Sequence, residues 1–159
     1  MKKYEFTGET KEIRLLFRTA TLHRIRATVA FGIVEVGDLG GWIEKEENLS
    51  HEGKAWVCGD AKVWGNAEVC GDAKVFSASH VLVIGAIGSR NDFTTFYRDK
   101  DNEITVKCGC FLGKIDRFLE KVTQTHGDSK YALVYRAAVE VAKLQIDLSG
   151  EAPKDADEE

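Results

Sequence analysis

The spacing of hydrophobic residues changes along the chain, and each change predicts a different kind of element. Residues 1–36 alternate polar and apolar side chains, as half-buried β-strands do. Residues 81–112 are also predicted to form strands, beginning with an apolar run at 81–87. Between them, an apolar residue recurs about every six positions. From residue 114 onward the apolar residues follow the i, i+3, i+4, i+7 spacing of a helix with one buried face. The chain is therefore expected to be mainly β, with α at its C-terminal end.

Four consecutive hexads make residues 53–76 the most regular part of the sequence. Each hexad begins with Gly and carries Ala at its third position and Val at its fifth. Val suits a pleated, half-buried surface, and Gly tolerates the turn between faces. Extended outward, the pattern predicts an inward-facing column: Ile43, Leu49, Val57, Val63, Val69, Val75 and Val81. Three hexads close one triangular coil, so the column predicts a short β-solenoid of a little over two coils.

The flanking segments are expected to cap this solenoid, because its open ends would leave unpaired strand edges. A hairpin of residues 14–18 and 22–26 is predicted at the N-terminal end. A second hairpin, of residues 93–97 and 104–108, is predicted to precede two helices at 114–126 and 129–148. The predicted organisation is an N-terminal β cap (1–36), a hexapeptide-repeat β-helix (37–82), a C-terminal α+β module (83–148) and a disordered acidic tail (149–159).

The hexads resemble those of left-handed parallel β-helix proteins, and the whole chain resembles a group of small phage and prophage proteins. The narrower resemblance is carried by residues 22–27, 37–44, 87–96 and 125–128 together with the hexads. It implies a short left-handed parallel β-helix capped by an N-terminal β-hairpin and by a C-terminal β-hairpin plus two-helix module. It also implies a phage setting, and inhibition of host defence is a function that rests on this resemblance alone.

Charge is unevenly distributed along the chain. The formal net charge is −4, and residues 151–159 account for all of it, so residues 1–150 are neutral. Residues 1–36 have seven basic and four acidic residues (+3), whereas residues 37–82 have four basic and eight acidic residues (−4). A neutral body argues against broad nucleic-acid binding. The opposite charges either attract the N-terminal cap to the solenoid or leave a small basic patch for a phosphate-bearing ligand.

No apolar run approaches the roughly 18–20 residues of a membrane span, and the N-terminal residues turn polar at once. We therefore expect a protein of the host cytoplasm that does not enter a membrane, with its four cysteines reduced. Cys58 and Cys70 fall on different faces of the predicted triangle. Cys108 and Cys110 form a lone pair, and structural zinc needs four ligands. Neither a metal nor another cofactor is predicted.

Two histidines raise the alternative of an enzyme. Many hexapeptide β-helix proteins transfer acyl groups from coenzyme A with a histidine base, and His51 and His80 lie at the two ends of the repeats. Neither has a carboxylate at a matching spacing. No catalytic residue is therefore assigned, and a small acyltransferase or a degenerate relative stays the alternative function.

The best candidate site is the loop Gly88, Ser89, Arg90, Asn91 and Asp92. It offers backbone N–H groups, a hydroxyl and a guanidinium, which together suit an anionic or phosphate group. The alternative is a tight loop in which Arg90 pairs with Asp92 or with a carboxylate of a cap.

Three aromatic residues at outward hexad positions, Trp56, Trp64 and Phe76, are either covered by a cap or form a partner-binding surface. The sequence thus predicts a non-enzymatic binding protein of phage or prophage origin. It would bind a host protein or sequester a small phosphate-bearing ligand, and its homo-oligomeric state is left open.

Overall fold

The computed structural model describes residues 1–150, which form three β-sheets and two C-terminal α-helices. Residues 151–159 lie outside the described residues, and so does most of the predicted acidic tail. Two single-turn 3-10 helices, Glu46–Asn48 and Ala78–His80, interrupt the strands.

The first sheet has four strands and belongs to the N-terminal half. Its strands are β1 (Tyr4–Arg14), β2 (Thr19–Ala27), β3 (Leu39–Ile43) and β5 (Lys62–Val63), in the order β1-β2-β3-β5. The first three pair antiparallel, and β5 joins β3 in parallel. A second sheet consists of β4 (Trp56–Val57) paired in parallel with β6 (Lys74–Val75).

The predicted left-handed parallel β-helix is wrong. The strands within the hexads are only two residues long, and all the longer strands described pair antiparallel with a neighbour. The hexad glycines lie in the left-handed region, with φ between 63° and 70° at positions 53, 59, 65 and 71. Closely spaced turns leave only short extended stretches between them, so the parallel pairing of β4 with β6 and of β5 with β3 is limited to two residues each. The first sheet is mixed and the third is antiparallel. The six-residue period reports where turns and buried residues lie, and it does not fix the sheet architecture.

The hexads supply the first of two hydrophobic cores. Six residues of the predicted inward column are buried, and Val81 is half-buried. The four hexad alanines are buried with them. Tyr4 and Ile25 of the N-terminal strands and Trp56 of the first hexad also belong to this core. The N-terminal strands and the hexads therefore bury one common set of side chains.

The third sheet and the helices form the C-terminal half. The strands are β7 (Val81–Ile87), β8 (Asp92–Arg98), β9 (Ile104–Cys108) and β10 (Phe111–Lys114), an antiparallel meander in the order β10-β9-β8-β7. The helices are α1 (Ile115–His126) and α2 (Lys130–Gln145), close to the two helices that the apolar spacing predicts. The second core lies between this sheet and these helices and includes Phe96, Phe118 and Val139.

Ion pairs join the basic N-terminal residues to the acidic residues that follow them. Lys2 Nζ lies 2.8 Å from Glu46 Oε1. Arg18 forms a bidentate salt bridge with Glu44, in which Nη1 donates to Oε2 at 2.6 Å and Nη2 donates to Oε1 at 3.1 Å. These contacts favour the attraction between segments over a free basic patch at these residues. Over the described residues, neither helix has the length and apolarity needed to cross a membrane.

Candidate functional site

The predicted loop connects β7 to β8 and has the backbone of a tight turn. Gly88 has φ of 75° and Asn91 has φ of 48°, so both lie in the left-handed region. The Asn91 N–H donates to the carbonyl of Gly88 at 3.3 Å. Asp92 begins β8, and its Oδ1 accepts the N–H of Phe93 at 2.7 Å. The turn leaves the side chains of Ser89 and Arg90 exposed.

Two close approaches position this loop on the C-terminal half. A Cβ placed on Gly88 would overlap the hydroxyl of Tyr135, so the loop rests directly on α2. A Cβ placed on Gly109 would lie 3.2 Å from Arg90 Nη1, so the guanidinium lies over the turn between β9 and β10. Glycine at both positions allows the two turns and the helix to meet.

A cleft of about 260 Å³ opens where these elements meet, and we call it the Arg90 cleft. Its wall includes the rings of Phe111, Phe118 and Tyr135. Polar and charged residues complete the lining: Ser89, Arg90, Asp92, Thr94, Cys108, Cys110, Lys121, Thr125 and His126. An apolar wall with a few convergent polar groups is the usual composition of a small-molecule site.

The fixed charges of the Arg90 cleft sum to +1, because Arg90 and Lys121 outnumber Asp92. Among residues 1–150, no ion pair involves Arg90, so the alternative of an Arg90–Asp92 salt bridge is not observed. Lys121 is also exposed and forms no ion pair with a described residue. Both cations are thus available to an anion that enters the cleft.

Beneath the loop, Cys108, Thr94 and Tyr135 form a small polar cluster. The Thr94 hydroxyl lies 3.4 Å from the Cys108 sulfur. Burial, and then the neighbouring Cys108, raises the pKa of Tyr135, so the phenol stays protonated at neutral pH. The His126 ring stacks on that of Tyr135, with centroids 5.7 Å apart. The wall of the cleft therefore places a protonated phenol, a sulfur atom and an aromatic ring stack below its two cations.

The structure brings three of the five predicted loop residues to the lining: Ser89, Arg90 and Asp92. Gly88 and Asn91 shape the loop instead. The sequence interpretation missed the contributions of α1 and α2. One signal was present, because Phe118, Lys121, Val122 and Thr125 follow i, i+3, i+4, i+7 spacing and so share one face of α1.

The three outward aromatic residues have different environments. Trp56 is only 3% exposed and packs against Tyr4 and Phe31 of the N-terminal segment, so it is a core residue and unavailable to a partner. Phe76 is half-buried under the guanidinium of Arg98, 5.1 Å from the ring centroid. Trp64 alone of the three keeps an exposed side chain, at 38%.

The two histidines considered as catalytic bases each accept a hydrogen bond from a backbone N–H group instead. His51 Nδ1 accepts the N–H of Lys3 at 3.0 Å, and His80 Nδ1 accepts the N–H of Phe76 at 3.1 Å. Burial lowers the pKa of both. All four cysteines are free, and residues 1–150 contain no cluster of three His, Cys, Asp or Glu residues arranged for a metal ion.

No family model matches the chain, and no curated protein matches it either. The comparisons therefore give no support to a phage setting, a hexapeptide-repeat relationship or host-defence inhibition. The left-handed parallel β-helix that the resemblance implies is also not the fold of residues 1–150.

Proposed function

We propose that this chain is a non-enzymatic binding protein that holds a small phosphate-bearing ligand in the Arg90 cleft. The observation that carries the proposal is an exposed arginine without an ion-pair partner among residues 1–150, at the rim of a cleft that also contains Lys121. A guanidinium binds phosphate oxygens through two parallel hydrogen bonds, and a lysine adds a point charge.

The remaining lining supports a ligand with an apolar or ring-shaped part. Phe111 and the His126 ring are half-buried, so each presents part of its surface to the cleft. The protonated Tyr135 phenol and the Ser89 hydroxyl supply neutral hydrogen-bonding groups. The cleft is small, at about 260 Å³, which favours a small molecule over a peptide or a nucleic acid.

The proposal is for binding without catalysis. Within the described part of the chain, no hydrogen bond joins a histidine to a cysteine or to a carboxylate in the cleft. The acyltransferase alternative relied on His51 and His80, and both are fixed by backbone hydrogen bonds. The four free cysteines support placing the protein in a reducing compartment such as the cytoplasm.

Calorimetric titration with inorganic pyrophosphate tests the proposal. We expect saturable binding to the full chain, and Arg90→Ala should weaken it by on the order of 10-fold or more, since a charge-assisted hydrogen bond is lost. The matched control is Arg136→Ala. Arg136 lies outside the cleft and donates to the carbonyl of Gly127 at 3.0 Å.

The two arginine variants separate a site from general charge attraction. Equal weakening by Arg90→Ala and Arg136→Ala would mean that pyrophosphate responds only to net charge. No binding to the wild-type chain would also refute the proposal. Chloride at matched ionic strength serves as the reference titration in each case.

A further inference from the structure

The tip of the N-terminal hairpin exposes two large apolar side chains. Leu16 is 87% exposed and Phe17 is 93% exposed, in the turn between β1 and β2. The turn is closed by the Leu15 N–H, which donates to the Arg18 carbonyl at 2.8 Å. Burying an aromatic ring removes roughly 150–250 Å² from water, so a fully exposed Phe at a turn is costly unless it has a partner.

An apolar groove lies elsewhere on the chain, and we call it the Trp64 groove. It has a volume of about 380 Å³ and is lined mainly by Trp64, Ala67, Ala78, Val81, Val83 and Phe93. Among residues 1–150, Lys62 is the only charged residue that lines it. The composition of the groove therefore matches that of the Leu16–Phe17 tip.

A chain of contacts places the tip and the groove near each other on the molecule. Arg18, next to Phe17, is held by the carboxylate of Glu44 at 2.6 Å. The same carboxylate accepts the N–H of Gly65 at 2.9 Å, and Gly65 lines the groove beside Trp64. The Arg18–Glu44 contact also fixes the turn in a position where Leu16 and Phe17 remain exposed, so the tip does not enter the groove of its own chain.

We propose that the chain forms a two-fold dimer in which the Leu16–Phe17 tip of each copy fills the Trp64 groove of the other. A two-fold contact uses the same surface on both copies, which requires tip and groove to lie near each other, as they do here. Two tips and two grooves together bury on the order of 1,000 Å², about the minimum for a biological interface and in the range of weak, reversible association. This inference is independent of the phosphate site.

Charge next to the groove fits a second hairpin tip. A shallow depression shares Asn66, Ala67 and Phe93 with the groove, and its charged residues are Glu47, Glu68, Asp92 and one lysine, Lys45. The tip carries Arg14, which is exposed, and Arg18, whose charge is already balanced by Glu44 of the same chain. Arg14 therefore supplies the positive charge that meets a rim with a net negative charge, which favours this orientation.

Sedimentation of the full chain tests the dimer. The wild-type chain is expected at twice its 17.7 kDa mass at submillimolar concentration. Phe17→Asp and Ala78→Glu should each weaken association more than about 10-fold, because one charge would be buried in each contact. Both positions are exposed in the single copy, so neither change should disturb the fold. Circular dichroism and the thermal midpoint check this.

Mixing the two variants tests directly whether the tip of one copy contacts the groove of the other. A Phe17→Asp chain keeps its groove and an Ala78→Glu chain keeps its tip, so the mixture retains one intact tip–groove contact in each mixed dimer. The mixture should associate more tightly than either variant alone. The control is Leu144→Asp on α2, which is 89% exposed and should leave the dimer unchanged.

Other outcomes would overturn the inference. A monomeric wild-type chain would refute the dimer. Loss of the dimer in Leu144→Asp would place the interface on α2 instead. A dimer that tolerates Ala78→Glu but not Phe17→Asp would mean that the two tips meet each other and that the groove is not used.

Discussion

Two glycines allow large side chains to approach the backbone around the Arg90 cleft. Gly88 meets the hydroxyl of Tyr135, and Gly109 meets the guanidinium of Arg90. Any other residue at Gly88 would be placed against the ring and would also need a φ of 75°, which L-residues adopt at a cost. The position of Arg90 relative to the cleft thus depends on neighbouring residues that have no charge of their own.

Replacing Gly88 by Ala is expected to destabilise the protein by two additive effects. The left-handed backbone costs about 1–2 kcal/mol, and the overlap with Tyr135 adds about 1–3 kcal/mol. The matched control is Gly65→Ala, where φ is 65° and no atom lies within 4 Å of the new Cβ. Urea denaturation measures the difference. Equal losses in the two variants would show that Gly88 is not in close contact with Tyr135.

Lys3 is a buried cation whose titration should make the free energy of unfolding depend on pH. Its Nζ donates to the carbonyl of Ala55 at 2.7 Å. Burial, followed by the charge of Lys74, lowers the pKa of Lys3 from 10.5 to about 8. Between these two values the unfolded chain binds more protons than the folded chain. The free energy of unfolding should therefore rise with pH above about 8.

Lys3→Met should remove this rise. The lysine contributes a slope of up to about 1.4 kcal/mol per pH unit, and a methionine cannot titrate. The comparison is made by urea denaturation of both chains between about pH 8 and 9. Above that range the Cys58 thiol, whose pKa burial raises from 9.0 to about 11, acts in the opposite direction. Parallel pH profiles for the two chains would contradict the assignment.

At the scale of elements, one carboxylate organises the turn between β8 and β9. Asp99 is fully buried, and its Oδ2 accepts the Thr105 hydroxyl at 2.7 Å. Its Oδ1 accepts the N–H groups of Asp101 and Glu103. Lys114, at the junction of β10 and α1, lies 3.2 Å from the same carboxylate. Asp99 also bridges to Ala73, so it connects the hexads to the third sheet.

Asp99→Ala is expected to cost about 2–4 kcal/mol, because several hydrogen-bonding groups lose their acceptor inside the protein. Asp101→Ala is the control. Asp101 also pairs with Lys114, at 2.8 Å, but it is exposed. Its loss should cost less than about 1 kcal/mol. Similar chemical-denaturation midpoints for the two variants would contradict the central role given to Asp99.

The elements differ in how far the sequence could predict them. Helices α1 and α2 follow from local apolar spacing, and the second hairpin follows from its turn residues. The hexads predict which valines are buried because the period is local. The direction and length of strand pairing depend on which other segment each strand lies beside. Here the long antiparallel β1–β2 hairpin lies beside β3 and pairs with it through β2. The six-residue period accounts for the parallel pairing of Trp56–Val57 with Lys74–Val75, but it contains no information about the antiparallel strands.

At the scale of the whole molecule, residues 1–150 form two hydrophobic cores, and the Arg90 cleft belongs to the second. Four segments meet there: the β7–β8 loop, the β9–β10 turn, α1 and α2. The loop could be found from its glycine, serine and arginine. Lys121 and Tyr135 could not be assigned to it, because only the packing of the helices on the sheet brings them to the same cleft.

The most direct test of the central claim is to locate phosphate on the protein. Amide chemical shifts of the full ¹⁵N-labelled chain are followed by NMR during titration with inorganic pyrophosphate, with chloride as the reference. The Arg90 cleft predicts saturable shifts at Ser89, Arg90, Gly109 and Lys121, and their loss in Arg90→Ala. Shifts confined to other surfaces, or the same shifts in Arg90→Ala, would contradict the proposed site.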